Sequence, residues 1–205
     1  MPVCSFFPLA GQTWADFAQD PNVRGAQDGT AGYGGWHYRR SAEHVHRGID
    51  LPAAAGHPVI AVTCGTAEYR SIRRYDGPGT FNAAGHRILL FAHDGQCFLY
   101  LHLGTNPQET LDAFHRGVAP GQRVEVRAGD VIGFAGFTGG SKATGQSLTP
   151  ERSHLHFEWR PRGLEGLDAN PVHILAALPS LSLGDRGTTE TRRPTSGALT
   201  LGPPQ

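Results

Sequence analysis

No apolar run in this 205-residue chain approaches the ~20 residues needed to cross a bilayer, so a membrane-spanning helix is excluded. An excess of one charge is also missing. Eighteen Lys and Arg balance eighteen Asp and Glu, which leaves neither the basic surface of a nucleic-acid binder nor a polybasic patch for an anionic membrane. Cysteine is scarce: Cys4, Cys64 and Cys97 cannot all pair and lack CxxC spacing, so they build neither a disulfide framework nor a zinc knuckle. Cys64 and Cys97 lie in strand-like runs and are expected to be small buried hydrophobes. Residues Met1 to Phe7 lack the basic n-region and long apolar h-region of a secretory signal.

Punctuation, by contrast, is abundant, with 28 glycines and 15 prolines. Between Gly, Pro and Asp turns stand short apolar bursts: Ile49–Leu51, Val59–Cys64, Ile88–Ala92, Cys97–Leu103, Val124–Val126, Val131–Phe134 and His154–Trp159. Asp94-Gly95 reads as a two-residue hairpin turn between two of them. Short strands with such turns predict an all-β fold, a mainly antiparallel sandwich or barrel-like core with a groove. Only Asn106–Arg116 and His173–Leu178 read as short helices. From Pro179 the composition turns to Ser, Thr, Gly, Arg and Pro, too little apolar surface to offset ordering entropy. The chain is therefore divided into a domain over 1–178 and a flexible tail over 179–205.

Histidine is enriched, at eleven residues, and two clusters of it carry chemistry. In Ser153-His154-Leu155-His156-Phe157-Glu158-Trp159, period-2 alternation puts both imidazoles on one strand face. His46-Arg47-Gly48-Ile49-Asp50 supplies a further imidazole and a carboxylate. Zn²⁺ takes such N and O donors in tetrahedral array, and three protein ligands leave a fourth position open for water. In Tyr100-Leu101-His102-Leu103, alternation groups Tyr100 with His102 and Leu101 with Leu103. Beside a metal, His102 becomes a general base or oxyanion stabiliser. The other histidines have no such company and read as surface or core residues, although His44 is near enough to line the site.

At these residues the chain resembles the lysostaphin-type (LytM-type) zinc endopeptidases, which cut peptidoglycan peptides. His46–Asp50, Tyr100–Leu103 and His154–Glu158 match that family's three motifs in order, and Phe7-Pro8-Leu9, Gly56–Ala61, Gly129–Gly133 and Asn170-Pro171 match its punctuation. The resemblance covers roughly residues 6–178. It implies zinc held by His46, Asp50 and His156, with His102 and His154 as the catalytic pair beside the attacking water, and peptidoglycan cross-links or bridges as substrate. It also implies a monomer acting in the periplasm or cell wall. With no signal peptide visible, delivery falls to a non-classical route, to a phage or secretion apparatus, or the sequence is a trimmed piece. An immunity or delivery partner stays open. Two insertions, 105–119 and 146–153, set the chain apart near its motifs. The alternatives are a catalytically silent peptidoglycan-binding or regulatory module on the same fold, and an amidase on the sugar–peptide bond.

Overall fold

The computed structural model describes residues 6–23, 34–40, 42, 44–70, 83–105, 121–140 and 146–185. Strands follow one another as β1 (Ile49–Pro52), β2 (Pro58–Ile60), β3 (Gly65–Arg70), β4 (His86–Ala92), β5 (Cys97–Leu103), β6 (Arg123–Val126), β7 (Val131–Phe134) and β8 (His154–Arg160). Six of them form one antiparallel sheet in the order β1-β8-β5-β4-β3-β6, while β2 and β7 pair as a small second sheet. Among the described residues one short α-helix, α1 (Val172–Leu175), follows Asn170-Pro171. The fold is all-β, as the turn-punctuated sequence predicts. Among the described residues no helix is long and apolar enough to cross a membrane.

Alternation along the strands divides the large sheet into two faces. Ile49, Leu51, Ala67, Tyr69, Ile88, Leu90, Phe98, Tyr100, Leu155 and Phe157 join Val59 and Ile132 of the small sheet in one buried cluster. This is the sandwich core, and its apolar burial is the main force holding the two sheets together. The opposite face carries a smaller cluster of Leu89, Cys97 and Leu99 with Phe91, Leu101 and Leu164 against it. Asp50, His156 and Glu158 fall on this second face because their neighbours in sequence fill the core.

Four details depart from the sequence reading. The β4–β5 connection is a three-residue loop, His93-Asp94-Gly95, closed by Ala92 N–H donating to the Gln96 carbonyl. Gly95 takes φ +86°, the left-handed position that ends such a loop and that glycine adopts without steric cost. β3 is not among the apolar bursts of the sequence, because Thr66-Ala67-Glu68-Tyr69-Arg70 mixes charge with few apolar residues. Cys64 is exposed, since β2 ends at Ile60 and the chain turns before β3, whereas Cys97 is buried as expected. The stretch from Pro179 begins as paired chain: Phe7 N–H donates to the Pro179 carbonyl and Gly11 N–H to that of Leu181, both at 2.9 Å. The helix expected over Asn106–Arg116, most of the insertion around it and the tail beyond 185 lie outside the described residues. Of the second insertion, residues 150–152 form one 3₁₀ turn, and Ser147 bridges to Gly140.

Tyr100 ties the two layers together. Its ring is fully buried, and its hydroxyl accepts the Val62 N–H at 3.1 Å. Replacing it by Phe keeps the packing but leaves that donor without its acceptor. Tyr100→Phe is expected to lower unfolding free energy by about 1–3 kcal/mol, read as a shift of the urea midpoint. No shift would mean that water or another acceptor serves Val62 equally well.

Candidate metal centre

β8 places His154, His156 and Glu158 on one face by simple alternation. The β1–β8 register sets Asp50 directly opposite His156, so a carboxylate and an imidazole meet across the strand pair. His46 arrives from the irregular chain before β1, where its backbone pairs with His37 and Tyr38. The donor atoms form a tight triangle. His46 Nε2 lies 3.0 Å from Asp50 Oδ1 and 2.8 Å from His156 Nδ1, and His156 Nδ1 lies 2.8 Å from the same Oδ1.

The tautomers follow from what the other ring nitrogens touch. His46 Nδ1–H donates to the Gly35 carbonyl at 2.8 Å, so its Nε2 carries a lone pair. His156 Nε2–H donates to Glu158 Oε1 at 3.1 Å, so its Nδ1 carries another. With the Asp50 oxygen, three lone pairs converge in a region where the His46 side chain is 1%, His156 6% and Asp50 14% exposed. Electron pairs held this close in a dry site repel one another unless a cation sits among them. Tetrahedral ligands at 2.0–2.1 Å stand about 3.3 Å apart, slightly wider than this triangle. The donor set thus fits a first-row ion after a small outward adjustment. Among the described residues, these three form a group whose ligand atoms all lie within 4.8 Å of one another.

In the metal-free protein a proton takes the cation's place. Burial pushes the His156 imidazolium down, but hydrogen bonds and charges of Asp50 and Glu158 more than reverse this and carry its pKa up to about 9. Burial lowers that of His46, helped by the His156 and Arg40 charges and opposed by Asp50. Burial would raise the carboxylates. For Asp50 it is outweighed by the His154 and His46 charges and by the close His156 and His46 ring nitrogens, which leave it well below the usual range. For Glu158 it is outweighed by His156 and then Arg160, which hold it at about 2. One proton, two anions and a neutral imidazole are the resting content.

His102 and His154 flank this triangle. Their rings lie 4.8 Å apart, and the His102 ring is 5.9 Å from that of His156. Each donates its Nδ1–H to a carbonyl, His102 to Thr138 at 2.9 Å and His154 to Arg152 at 2.7 Å. Each keeps Nε2 as the basic nitrogen, and that of His154 stands 3.6 Å from Asp50 Oδ1. Burial, then the charges of His154 and His156, hold the His102 pKa well below 6.5.

All five residues expected from the sequence are brought together, yet His102 gets there by a different route. Continued alternation would bury it in the core beside Tyr100. Instead Leu101 and His102 together oppose Arg87, a β-bulge, and His102 takes φ +62°. The kink turns its ring onto the face of Leu101 and His156 and returns Leu103 to the core. Left-handed backbone at a non-glycine residue costs of order 1 kcal/mol and is found where the surroundings enforce it.

The surroundings here are the chain after β7. β5 and β8 pair only from Cys97↔Arg160 to Leu101↔His156; beyond that, Ala135 bridges to Leu103 and Gly136 to His154. This segment acts as a wedge that parts the two strands where the metal triangle sits. A Cβ at Gly136 would stand 1.9 Å from the Gly104 carbonyl oxygen, so only glycine passes. Thr138, 1% exposed, anchors the wedge: its hydroxyl donates to the Leu103 carbonyl at 2.5 Å and accepts the His86 N–H at 3.0 Å.

Sequence reading missed several participants. Arg40 donates to Asp50 Oδ2 and leaves Oδ1 for the triangle. The Gly35, Thr138 and Arg152 carbonyls set the tautomers of their histidines. None of these had a local signal, whereas Glu158, which accepts His156 Nε2–H, lies two residues after His156 on the same strand. The His44 carbonyl accepts the Arg40 N–H at 2.9 Å, which ties this histidine to the arginine that holds Asp50.

Comparison with known proteins gives a consistent family. Residues 44–171 match the family described as Peptidase family M23. Over 155 residues the chain is 30% identical to the DD-carboxypeptidase/endopeptidase Mpg of Neisseria meningitidis serogroup B, and equally to that of Neisseria gonorrhoeae. Those matches take in 76% of this chain but only 28% of the relatives' length. Among solved structures, the catalytic domain of lysostaphin from Staphylococcus simulans is 26% identical, covers 70% of this chain and 90% of its own, and superposes with a TM-score of 0.48.

The protonation state generates a test. A ligating Nδ1 needs its lone pair, so a divalent ion entering the triangle must expel the His156 proton. Titrating zinc into the metal-free protein at pH 7.5, in buffers of differing ionisation enthalpy, is expected to release about one proton per ion from His156 in addition to that of the zinc-bound water. The His156 share should vanish as pH rises past about 9, where His156 is already neutral, and leave only the water's proton. A release that does not fall between pH 7.5 and pH 10 would remove His156 from the ligand set. The same raised pKa stabilises the metal-free fold below ~6.5 and is lost as pH climbs through about 9.

Proposed function

Since the chain belongs to Peptidase family M23, we propose that it is a zinc-dependent endopeptidase that hydrolyses peptide cross-links or bridges of bacterial peptidoglycan, outside the cytoplasm. The observation that carries this reading is the meeting of three lone pairs, from His46 Nε2, Asp50 Oδ1 and His156 Nδ1, with two anchored imidazoles beside them. His46, Asp50 and His156 are the residues that would hold the ion. Zinc there supplies a Lewis acid that polarises the scissile carbonyl and makes water acidic enough, near pKa 7, to attack at neutral pH.

The chain's own residues do the rest. Arg40 fixes the Asp50 carboxylate through Oδ2, and Glu158 holds the His156 ring, itself gripped by Arg160 Nη2 at 2.8 Å. His102, kept neutral by burial, accepts the proton of the attacking water at Nε2. His154, whose Nε2 is 3.6 Å from Asp50 Oδ1 and whose side chain is 15% exposed, donates as an imidazolium to the developing oxyanion and gives that proton to the leaving amine, balanced by the proton His102 takes from the water. Both rings are aimed by Nδ1–H bonds to rigid backbone, which is the geometry that general acid–base catalysis needs. The Neisseria relatives' names, DD-carboxypeptidase/endopeptidase, support peptidoglycan stem peptides as the substrate class.

Incubating the protein with purified sacculi of both wall types and weighing the fragments by mass spectrometry tests the activity and separates endopeptidase from amidase products. His156→Ala is expected to lose bound zinc and all cleavage. His102→Ala and His154→Ala are expected to retain zinc while turnover drops at least ~10²-fold. Wild-type turnover in both, with zinc in place, would overturn the assigned roles. Because the His102 pKa is depressed, it stays basic below pH 6.5, and the acid limb of the rate should track metal content measured in the same samples.

A further inference from the structure

The metal face of the large sheet continues beyond the triangle along a single cross-strand row. Asp50 on β1 opposes His156 on β8, which opposes Leu101 on β5. The Leu101-His102 bulge opposes Arg87 on β4, and Arg87 opposes Arg70 on β3. Alternation puts both arginines on the metal face, because Ile88 and Tyr69 beside them fill the core. With strands about 4.8 Å apart, Arg87 Cα lies about 10 Å from His156 Cα, two strands away.

The charges on this row are unbalanced. Arg70 and Arg87 are directly opposed like charges in an antiparallel pair, an arrangement that costs stability unless something negative lies between them. Among the described residues, the carboxylate that pairs with Arg70, Glu68, is already shared: it accepts Arg70 Nε at 2.6 Å and Arg123 Nε at 3.1 Å. Among the described residues no acidic side chain pairs with Arg87, which is itself half-buried, and burial together with the Arg70 charge lowers its pKa. Glu158, on the same face, is occupied by His156 and Arg160. A planar guanidinium in partly dry surroundings, with which no described carboxylate pairs, is suited to bidentate capture of a carboxylate.

Resting on the peptidase reading above, we propose that Arg87, with Arg70 beside it, is a carboxylate-binding subsite of the active-site groove. The substrate is then a peptide bearing a free carboxylate within about three residues of the cleaved bond, the number that an extended chain needs to cross ~10 Å. The bound anion relieves the repulsion between the two arginines and fixes which way the peptide lies across the sheet. The carboxylate can be a C-terminal one or that of an acidic side chain; the chemistry recognised is the same.

Three synthetic peptides built on one D-Ala–D-Ala sequence test this: the free acid, its C-terminal amide, and an amidated peptide carrying the acid on the side chain next to the cleaved bond. kcat/KM is measured for each with the zinc-loaded protein, and equilibrium binding by calorimetry in the His154→Ala background. One of the two acids is expected to be favoured over the amide about tenfold or more in both readouts, as for a hydrogen-bonded charge, and which acid it is identifies the source. Arg87→Gln should bring the acid-to-amide ratio to about one, Arg87→Lys should restore part of it, and Arg123→Gln should keep the wild-type ratio. Equal treatment of all three peptides by the wild type, or an undiminished ratio in Arg87→Gln, overturns the subsite. Absence of hydrolysis of every peptide and of sacculi overturns the peptidase reading; an acid preference in binding that still depends on Arg87 would then support the subsite on its own.

Discussion

Three electron pairs pointed at one another in a nearly dry pocket are the constraint on which the rest of this structure turns. Such an arrangement is unfavourable by itself, and it exists because each donor is held from behind. Gly35 holds His46, Glu158 holds His156, and Arg40 holds Asp50. The burial that makes the convergence costly without a cation also makes it strong with one, since charges interact more strongly where water is excluded. The proton that His156 retains is a placeholder for that cation.

The same logic reaches outward through the backbone. To aim His102 and His154 past the triangle, β5 and β8 must stop pairing, and the Ala135-Gly136 wedge does this while satisfying the freed backbone groups: the Gly136 carbonyl accepts His154 N–H, and that of Phe134 accepts Gly104 N–H. Thr138 fastens the wedge and also supplies the carbonyl that orients His102, so strand separation and imidazole orientation depend on one short segment. The left-handed strain at His102 is the local cost of this geometry.

Much of this was legible in the sequence. The His154-Leu155-His156 triplet among apolar residues reads correctly as two imidazoles on one strand face, because a period of two is a local property. The burst pattern gives seven of the strands within a residue or two at most ends, although Val59–Cys64 overruns β2 and exposes Cys64. β3 escaped because Glu68 and Arg70 hide its alternation: their charges face away from the core while Ala67 and Tyr69 fill it. His102 stands beside the triangle on the face opposite to the one that strand alternation assigns it.

What the sequence determined by itself is the chemistry available: which nitrogens and oxygens exist, that the strands are short and antiparallel, and that His154, His156 and Glu158 share a face. What the tertiary structure alone decided is where that chemistry points. The opposition of Asp50 and His156 is a matter of β1–β8 register, and the turn of His102 is set by a bulge and a wedge. The tautomers are set by carbonyls and a carboxylate brought up from the sides. The physical reason is range. Side-chain alternation and turn preference act between neighbours along the chain. Lone-pair convergence, strand separation and the opposed arginines of β3 and β4 arise only between segments that folding brings together.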